Sequence, residues 1–238
     1  MPIREITDPF RLEDIVPYFQ PIVALRTDRV WRYECLARLI PEPEKVYLPN
    51  EFLYLVERHN YVQQLTETMF AQCSAFFANK NLNWNINLDM ADVHNPALIT
   101  FFSQHIDSYC DPTRICVEVS AQSAIHDLSQ MNEFIKKVTP LGINVFVDNV
   151  GRVPGNIKRL LDLPIKGMKL DGGLLRHYHT TSAVQEYISY VCEQARDRDI
   201  AVVAEQVEDL EILEIVHQLP IDYAQGFVFS SPKPTLPD

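Results

Sequence analysis

Short apolar runs alternate with longer amphipathic stretches along most of the chain, and this alternation predicts an α/β fold. The apolar runs predict strands at 18–25, 30–39, 84–89, 115–119, 145–150, 167–171, 201–205 and 223–229. Apolar residues at helical spacing predict helices at 50–59, 61–79, 96–109, 129–139, 156–162, 181–197 and 209–218. Because the connections are short, the strands are expected to pair in parallel through helical crossovers. Eight strands over 238 residues favour one closed barrel over an open sheet.

The domain organisation follows from the same pattern. No linker is long enough to divide the chain, so residues 17–238 are predicted to form a single barrel domain. Residues 1–16 are predicted to be a short lead-in, with a turn at Asp8-Pro9, and residues 41–45 to be an exposed Pro-rich loop.

Composition narrows the classes of function. The 47% hydrophobic and 22% charged residues are typical of a soluble globular protein, and no apolar run reaches the ~18 residues of a membrane span. The start lacks the apolar core of a secretion signal, so a cytoplasmic location is expected. The net charge of −11 argues against binding to DNA, RNA or an anionic membrane. The five cysteines lack CxxC spacing and are predicted to be reduced core residues: Cys35, Cys73, Cys110, Cys116 and Cys192.

Polar residues stand near the carboxyl ends of seven predicted strands. They are Glu34, Asn87, Glu118, Asp148 with Asn149, Lys169, Glu205 and Gln225. One such residue is usually a turn former, but seven on one barrel rim indicate a functional site. Four of them, Glu34, Asn87, Glu118 and Asp148, offer oxygen atoms suited to Mg²⁺ or Mn²⁺. Three converging carboxylates would repel one another strongly without a cation, which favours a divalent metal site.

Several motifs in the same order resemble those of the EAL domain, the family of cyclic di-GMP phosphodiesterases and their non-catalytic relatives. The name-giving Glu-Ala-Leu stands here as Glu34-Cys35-Leu36, followed by Arg38. The other matches are Tyr18-Phe19-Gln20-Pro21-Ile22-Val23, Asn87-Leu88-Asp89, Lys169-Leu170-Asp171, Ala204-Glu205-Gln206-Val207-Glu208 and Gln225-Gly226-Phe227. The resemblance covers essentially the whole chain.

The resemblance implies a modified (β/α)8 TIM-type barrel whose first strand is antiparallel, carrying a two-metal phosphodiesterase site. It implies that Glu34, Asn87, Glu118 and Asp148 hold the first Mg or Mn ion, and that the residue after Asp148 supports the second. Lys169 and Glu205 would then act on the attacking water. Gln20, Leu36, Arg38 and Gln225 would bind the ligand, with Arg38 as a fork to phosphate oxygens.

The sequence departs from the family pattern at the loop that follows the sixth strand. Where the family has Asp-Asp-Phe-Gly-Thr-Gly, this chain has Asp148-Asn149-Val150-Gly151-Arg152-Val153. Asn149 offers an oxygen but no charge to a second cation, so the second metal position is expected to be weakened. Ala121 replaces a glutamate that is thought in the family to brace this loop. One metal site is therefore expected, and the second is doubtful.

Three functions remain open. The first is a receptor or regulator that recognises cyclic di-GMP, hydrolyses it weakly or not at all, and acts on a partner protein. The second is a Mg- or Mn-dependent phosphodiesterase of reduced activity that gives linear pGpG. The third is a protein-interaction scaffold that binds no nucleotide, against which the retained Gln20, Arg38 and Gln225 argue. The sequence leaves open whether the chain is an enzyme. A homodimer is possible because active members of the family often pair beside this loop.

Overall fold

The computed structural model describes residues 10–43, 45–106, 109, 111–153 and 155–236. Nine strands are formed in this part of the chain. They are β1 (Ile15–Ala24), β2 (Arg29–Glu42), β3 (Lys45–Tyr47), β4 (Asn83–Asn87), β5 (Ile115–Ser120), β6 (Asn144–Val150), β7 (Gly167–Leu170), β8 (Ala201–Ala204) and β9 (Tyr223–Ala224). Eight of them close into a barrel in the order β1, β9, β8, β7, β6, β5, β4 and β2, while β3 lies outside against β2.

The barrel is parallel except at β1. Strands β2, β4, β5, β6, β7, β8 and β9 pair in parallel, whereas β1 runs antiparallel to both β2 and β9. The short polar turn at 25–28 explains this, because a hairpin joins antiparallel strands and a parallel pair needs a crossover. The predicted modified barrel with an antiparallel first strand is confirmed.

Helices cover the outside of the barrel. They are α1 (Pro49–Arg58), α2 (Val62–Phe77), α3 (Met90–His94), α4 (Pro96–Ile106), α5 (Ala121–His126), α6 (Leu128–Val138), α7 (Ile157–Leu161), α8 (Gly172–Arg176), α9 (Ser182–Arg196) and α10 (Leu210–His217). Several begin at a side-chain cap, as in α10, where Asp209 accepts from the backbone N–H of Ile212. Their apolar faces and the outward faces of the strands form the main core. No helix in the described ranges is long and apolar enough to cross a membrane.

Several segments differ from the sequence-based expectation. Strand β1 begins at Ile15, inside the predicted lead-in, whose residues before Phe10 lie outside the described part of the chain. The predicted loop at 41–45 instead holds the end of β2 and the start of β3. The pattern also missed the short helices α3, α5 and α8. Of these, α5 begins where the Ser120 hydroxyl accepts from the backbone N–H of Ser123.

The prediction that the last strand spans 223–229 was wrong, because β9 ends at Ala224. The chain turns at Gly226, where the backbone N–H groups of Phe229 and Ser230 both bond to the Gly226 carbonyl. A β-carbon on Gly226 would lie only 2.0 Å from the Val207 carbonyl oxygen, so this close approach requires glycine. The apolar residues after Ala224 therefore belong to a turn and to a segment that packs on the core.

A small aromatic cluster closes the amino-terminal end of the barrel. Ile22, Cys116, Phe146 and Val203 are buried there. The ring of Trp31 stacks on that of Tyr223 with centroids 3.6 Å apart. We call this cluster of six residues the barrel floor, and it seals the interior on the side opposite the polar rim.

Four of the five cysteines lie in the described part of the chain. Cys35, Cys73, Cys116 and Cys192 are buried free thiols, as expected, and Cys110 lies outside the described residues. Burial raises the pKa of Cys116 and of Cys192 to about 12. Their thiols are therefore core groups rather than nucleophiles.

Candidate functional site

Lys169 stands at the centre of the polar rim. Its side chain is fully buried in β7, and its Nζ lies 2.8 Å from Glu34 Oε2, 2.7 Å from Glu118 Oε2 and 3.3 Å from Glu205 Oε1. These carboxylates come from β2, β5 and the residue after β8. The barrel thus brings Glu34 to an ammonium group that lies 135 positions later in the sequence.

Amide side chains complete the hydrogen bonds of Glu34. Asn87 Nδ2 donates to Glu34 Oε1 at 2.7 Å, and Gln225 Nε2 donates to Glu34 Oε2 at 2.7 Å. The same Gln225 nitrogen also donates to Gln20 Oε1 at 3.1 Å, and Gln20 in turn donates to the carbonyl of Ser230. The predicted residues Gln20, Glu34, Asn87, Lys169 and Gln225 therefore form one network.

This network holds several carboxylates around a single ammonium group, and the pKa values reflect that imbalance. Burial lowers the pKa of Lys169, but Glu118, Glu34, Glu205 and Asp148 together raise it well above its usual value. Burial raises the pKa of Glu34, yet Lys169 and the amide donors outweigh burial and lower it. Burial raises the pKa of Glu118 to about 8 despite Lys169, and burial likewise raises that of Glu205. One ammonium group keeps Glu34 ionised but does not balance the others.

Asp148 and Asn149 lie at an irregularity in the sheet. The register between β6 and β7 shifts between Val147 and Val150, and Asn149 has a left-handed φ of 57°. Such bulges turn side chains out of the regular pleat, and asparagine tolerates this backbone conformation. The Asn149 amide donates to Asp148 Oδ2, and Arg152 Nη1 donates to Asn149 Oδ1 at 3.1 Å. Asn149 thus uses both ends of its amide within the loop.

The oxygen donors fit a hard divalent cation by their chemistry, although the side chains are turned elsewhere. Asp148 Oδ1 is buried and has no hydrogen-bond partner, and Glu118 Oε2 faces Lys169 without an aligned hydrogen bond. Within the described residues, no three His, Cys, Asp or Glu side chains are placed to hold a metal ion together. Instead, Glu34 Oε2 and Glu118 Oε2 lie 2.8 Å and 2.7 Å from Lys169 Nζ. A cation would have to share these carboxylates with Lys169.

A cavity of about 810 Å³ opens from the rim between the barrel and α1, α2 and α3. Glu34, Asn87 and Asp148 border it on the barrel side, and Leu36 belongs to its wall. The other walls are mainly apolar, with Asp92 among the polar exceptions. A volume of this size accommodates a small organic ligand next to the charged cluster.

The remaining predicted residues lie around this centre. Arg38 is 8% exposed on β2, where its guanidinium lies 5.6 Å from the Tyr18 ring centroid and Nη1 donates to the Ala37 carbonyl. Ala121 is buried at the start of α5. In the altered loop, Val150 is buried, Gly151 has a φ of 89° against Leu174, and Arg152 and Val153 are exposed.

The sequence analysis missed two buried polar residues inside the barrel. Asn85 is fully buried and donates to Glu118 Oε1, and Arg32 is 4% exposed and donates to Asn85 Oδ1. Strand alternation was the available signal, because residues two apart share a face. Arg32 therefore points inward with Glu34, and Asn85 with Asn87.

Comparisons with known proteins agree with this architecture. The model of the family described as "EAL domain" matches residues 3–232. The chain is 26% identical over 223 residues to the cyclic di-GMP phosphodiesterase PdeF of Escherichia coli, covering 91% of this chain but only 30% of PdeF. The chain thus spans only part of the length of this curated relative.

Solved structures share the fold. The FimX EAL domain from Pseudomonas aeruginosa bound to c-di-GMP superimposes with a TM-score of 0.86 at 19% identity, covering 94% of this chain and 93% of that one. The PaMucR phosphodiesterase in its c-di-GMP complex gives a TM-score of 0.83 at 21% identity, with the same coverage of both chains. The family match extends over nearly the whole sequence, and the chain belongs to the EAL domain family.

Proposed function

We propose that this EAL domain is a cyclic di-GMP receptor with weak or absent hydrolysis, which passes ligand binding on to a protein partner or a second copy of itself. The observation that carries the proposal is Asn149, whose amide donates to Asp148 Oδ2 and accepts from Arg152. One oxygen of Asp148 is thereby occupied, while Oδ1 is left for a single cation. A second hard cation would meet neutral amide where charge is needed.

The charge balance around Lys169 also favours one cation, Mg²⁺ or Mn²⁺. Four carboxylates act on Lys169, those of Glu34, Glu118, Asp148 and Glu205. Within the described residues, Lys169 is the cation that forms ion pairs with Glu34, Glu118 and Glu205. A divalent ion would offset negative charge that this single ammonium group leaves unbalanced. Glu34, Asn87, Glu118 and Asp148 would hold this ion, and it would neutralise charge on a phosphate oxygen.

The residues for ligand recognition support binding. Gln20 and Gln225 lie beside Glu34 in the central network, and Leu36 lines the cavity that borders it. In this proposal the phosphates of cyclic di-GMP lie at the charged rim, with Arg38 as a fork to their oxygens, and a base enters the largely apolar cavity.

A phosphodiesterase of reduced activity that gives linear pGpG is the second candidate. It is favoured by the contact between Lys169 and Glu205, the two groups expected to act on the attacking water, whose charged atoms lie 3.3 Å apart. In that case the chemistry would run with one cation and Arg152 near the phosphate.

The deciding experiment measures cyclic di-GMP binding by calorimetry and hydrolysis with Mn²⁺ in the wild type and in Asn149→Asp. If the missing carboxylate costs about 3–4 kcal/mol of transition-state stabilisation, the variant gains about 10²–10³-fold in turnover. Aspartate also tolerates the left-handed backbone at this position. Asn144→Asp, the same change at the opposite end of β6, is the control and is expected to leave turnover unchanged.

Three outcomes separate the candidates. Binding by the wild type without turnover supports the receptor. Wild-type turnover within about tenfold of Asn149→Asp overturns the receptor and favours the phosphodiesterase, because the expected gain is about 10²–10³-fold. No binding with or without Mn²⁺ rejects both and leaves a nucleotide-independent scaffold.

A further inference from the structure

Arg32 and Asn85 form a polar chain beneath the rim that reaches the candidate cation site from below. Arg32 Nη1 donates to Asn85 Oδ1, and Asn85 Nδ2 donates to Glu118 Oε1. Both residues are buried inside the barrel, at 4% and 0% exposure. Neither reaches the cavity, whose walls do not include them. Their contribution therefore passes through Glu118.

The chemistry of the three groups fixes the direction of this chain. A guanidinium has only donors, Glu118 Oε1 serves as an acceptor, and an amide has one end of each kind. The Asn85 oxygen must therefore face Arg32, and its nitrogen must face Glu118. A reversed amide would place donor against donor and acceptor against acceptor in the interior, where unsatisfied groups are costly. Arg32 thus sets the orientation of the Asn85 amide.

The barrel floor holds Arg32 in place. Its guanidinium carbon lies 4.4 Å from the Trp31 ring centroid and 5.0 Å from that of Phe146. The Trp31 ring is itself stacked on Tyr223. These cation–π contacts confine the guanidinium from one side, while Asn85 receives it from the other.

The arrangement is poor for stability alone. Arg32 Nε is buried without a hydrogen-bond partner, and within the described residues its guanidinium forms no ion pair with a carboxylate. A buried charge satisfied in this way is expensive, and apolar residues of similar volume often stabilise a protein better. The polar chain of Arg32 and Asn85 is therefore better explained by the group that it orients, Glu118, than by a gain in stability.

We propose that Arg32 and Asn85 are positioning residues that hold Glu118 for the divalent cation. Asn85, held by Arg32, donates to Oε1 from below and leaves Oε2, which lies 2.7 Å from Lys169 Nζ, directed at the rim. This inference rests on the proposed function, because it assigns Glu118 to a cation. Outer contacts of this kind orient metal-binding carboxylates, and their loss usually weakens metal binding by about 10–100-fold.

The test uses the full chain and Mn²⁺ alone, with free Mn²⁺ followed by electron paramagnetic resonance and folding by circular dichroism. The double variant Arg32→Met/Asn85→Leu removes the polar chain while keeping the interior filled. We expect it to fold and to bind Mn²⁺ about 10–100-fold more weakly than the wild type. Arg32→Met alone is measured as well, because it removes the group that sets the orientation of the Asn85 amide. The Mn²⁺ affinity of whichever variant folds decides whether the positioning role holds.

Two further variants separate positioning from general damage. Arg32→Lys keeps a donor for Asn85 Oδ1, so its Mn²⁺ affinity is expected to stay within about threefold of the wild type. The loss expected when the polar chain is removed is larger, about 10–100-fold. Ile188→Ala removes packing from α9 in the main core, at a residue that belongs to neither the polar chain nor the barrel floor. It is expected to lower stability and to leave Mn²⁺ affinity unchanged.

The outcomes distinguish this inference from the proposed function. The positioning role is expected to be worth about 10-fold or more in Mn²⁺ affinity. If the wild type binds Mn²⁺ and a folded double variant, or folded Arg32→Met, binds it within about twofold of the wild type, the positioning role alone is overturned. An equal loss of affinity in Ile188→Ala overturns it as well. A wild type that binds no Mn²⁺ overturns the proposed cation site and this inference with it.

Discussion

Asp92 carries a buried carboxylate at the wall of the cavity. Its Oδ2 accepts from the Thr66 hydroxyl at 2.8 Å and from the backbone N–H of Asp89 at 3.1 Å, while Oδ1 has no partner. Burial outweighs these two donors and raises the pKa of Asp92 to about 6. The folded state therefore favours the protonated acid, and ionisation of Asp92 costs stability.

The sign of the resulting pH dependence is opposite to that of a salt-bridged aspartate. The penalty is absent below the unfolded pKa near 4, grows as pH rises to about 6 and is constant above. Asp92→Asn keeps an acceptor for Thr66 and cannot ionise. We expect its free energy of unfolding, relative to the wild type, to rise by about 2–3 kcal/mol between pH 4 and pH 7, measured by urea unfolding.

The control at this scale is Asp111→Asn. Hydrogen bonds from Thr113 lower the pKa of Asp111, so its ionised form stabilises the fold above pH 4 and this contribution is lost as pH falls. The stability difference between the control and the wild type should therefore change only below about pH 4 and stay constant between pH 4 and pH 7. An Asp92→Asn curve that runs parallel to the wild type from pH 4 to pH 7 would contradict the buried-acid account.

At the scale of elements, the turn after β9 positions Gln225. Val207 N–H donates to the Gln225 carbonyl, and Val228 N–H donates to the Val207 carbonyl. Gly226 lies between these bonds, where its α-carbon faces the Val207 backbone too closely for any side chain. The position of Gln225, and through it the hydrogen bond to Glu34, depends on this glycine.

Gly226→Ala is therefore expected to damage both folding and ligand binding. The added β-carbon forces the two backbones apart, which should lower the free energy of unfolding by about 1–3 kcal/mol in urea titrations. It should also weaken cyclic di-GMP binding measured by calorimetry. Gly155→Ala is the control, because its β-carbon meets only the flexible end of Ile125. If Gly226→Ala matched this control in both measurements, the proposed role of the turn would fail.

The sequence pattern predicted the barrel because its main features are local. Apolar runs and helical spacing gave the eight barrel strands, and the short turn at 25–28 fits the antiparallel β1–β2 hairpin. The end of β9 was missed because the contact that stops it is distant in sequence, between Gly226 and Val207. Apolar residues after Ala224 look the same whether they continue a strand or pack as a turn.

The sequence predicted many residues of the candidate site but not the hydrogen bonds that join them. Strand ends and motifs identified Glu34, Glu118 and Lys169, and the barrel brings them within hydrogen-bond reach. The inward direction of Arg32 and Asn85 follows from alternation, but pairing register is needed to place them beneath Glu118. The double use of the Asn149 amide depends on the bulge between β6 and β7, which no local pattern reveals.

At the scale of the whole molecule, the site and the barrel are one structure. All eight barrel strands supply a group to the rim, within the strand or just after it: Gln20, Glu34, Asn87, Glu118, Asp148, Lys169, Glu205 and Gln225. The hydrogen bond between Gln20 and Gln225 joins residues 205 positions apart. The rim is therefore complete only when β1 closes against β2 and β9. A ligand that needs the complete rim binds the folded chain alone and stabilises it by mass action.

A divalent cation is accordingly expected to raise the melting temperature. At a Mn²⁺ concentration about 100 times its dissociation constant, binding contributes about 2.7 kcal/mol, or roughly 5–10 °C for a domain of this size. Glu118→Gln removes a carboxylate of the proposed cation site, so most of this shift should disappear in thermal scans with and without Mn²⁺. Glu133→Gln changes an exposed carboxylate paired with Lys136 and should keep the full shift. An equal shift in all three proteins would place the bound cation elsewhere on this acidic chain.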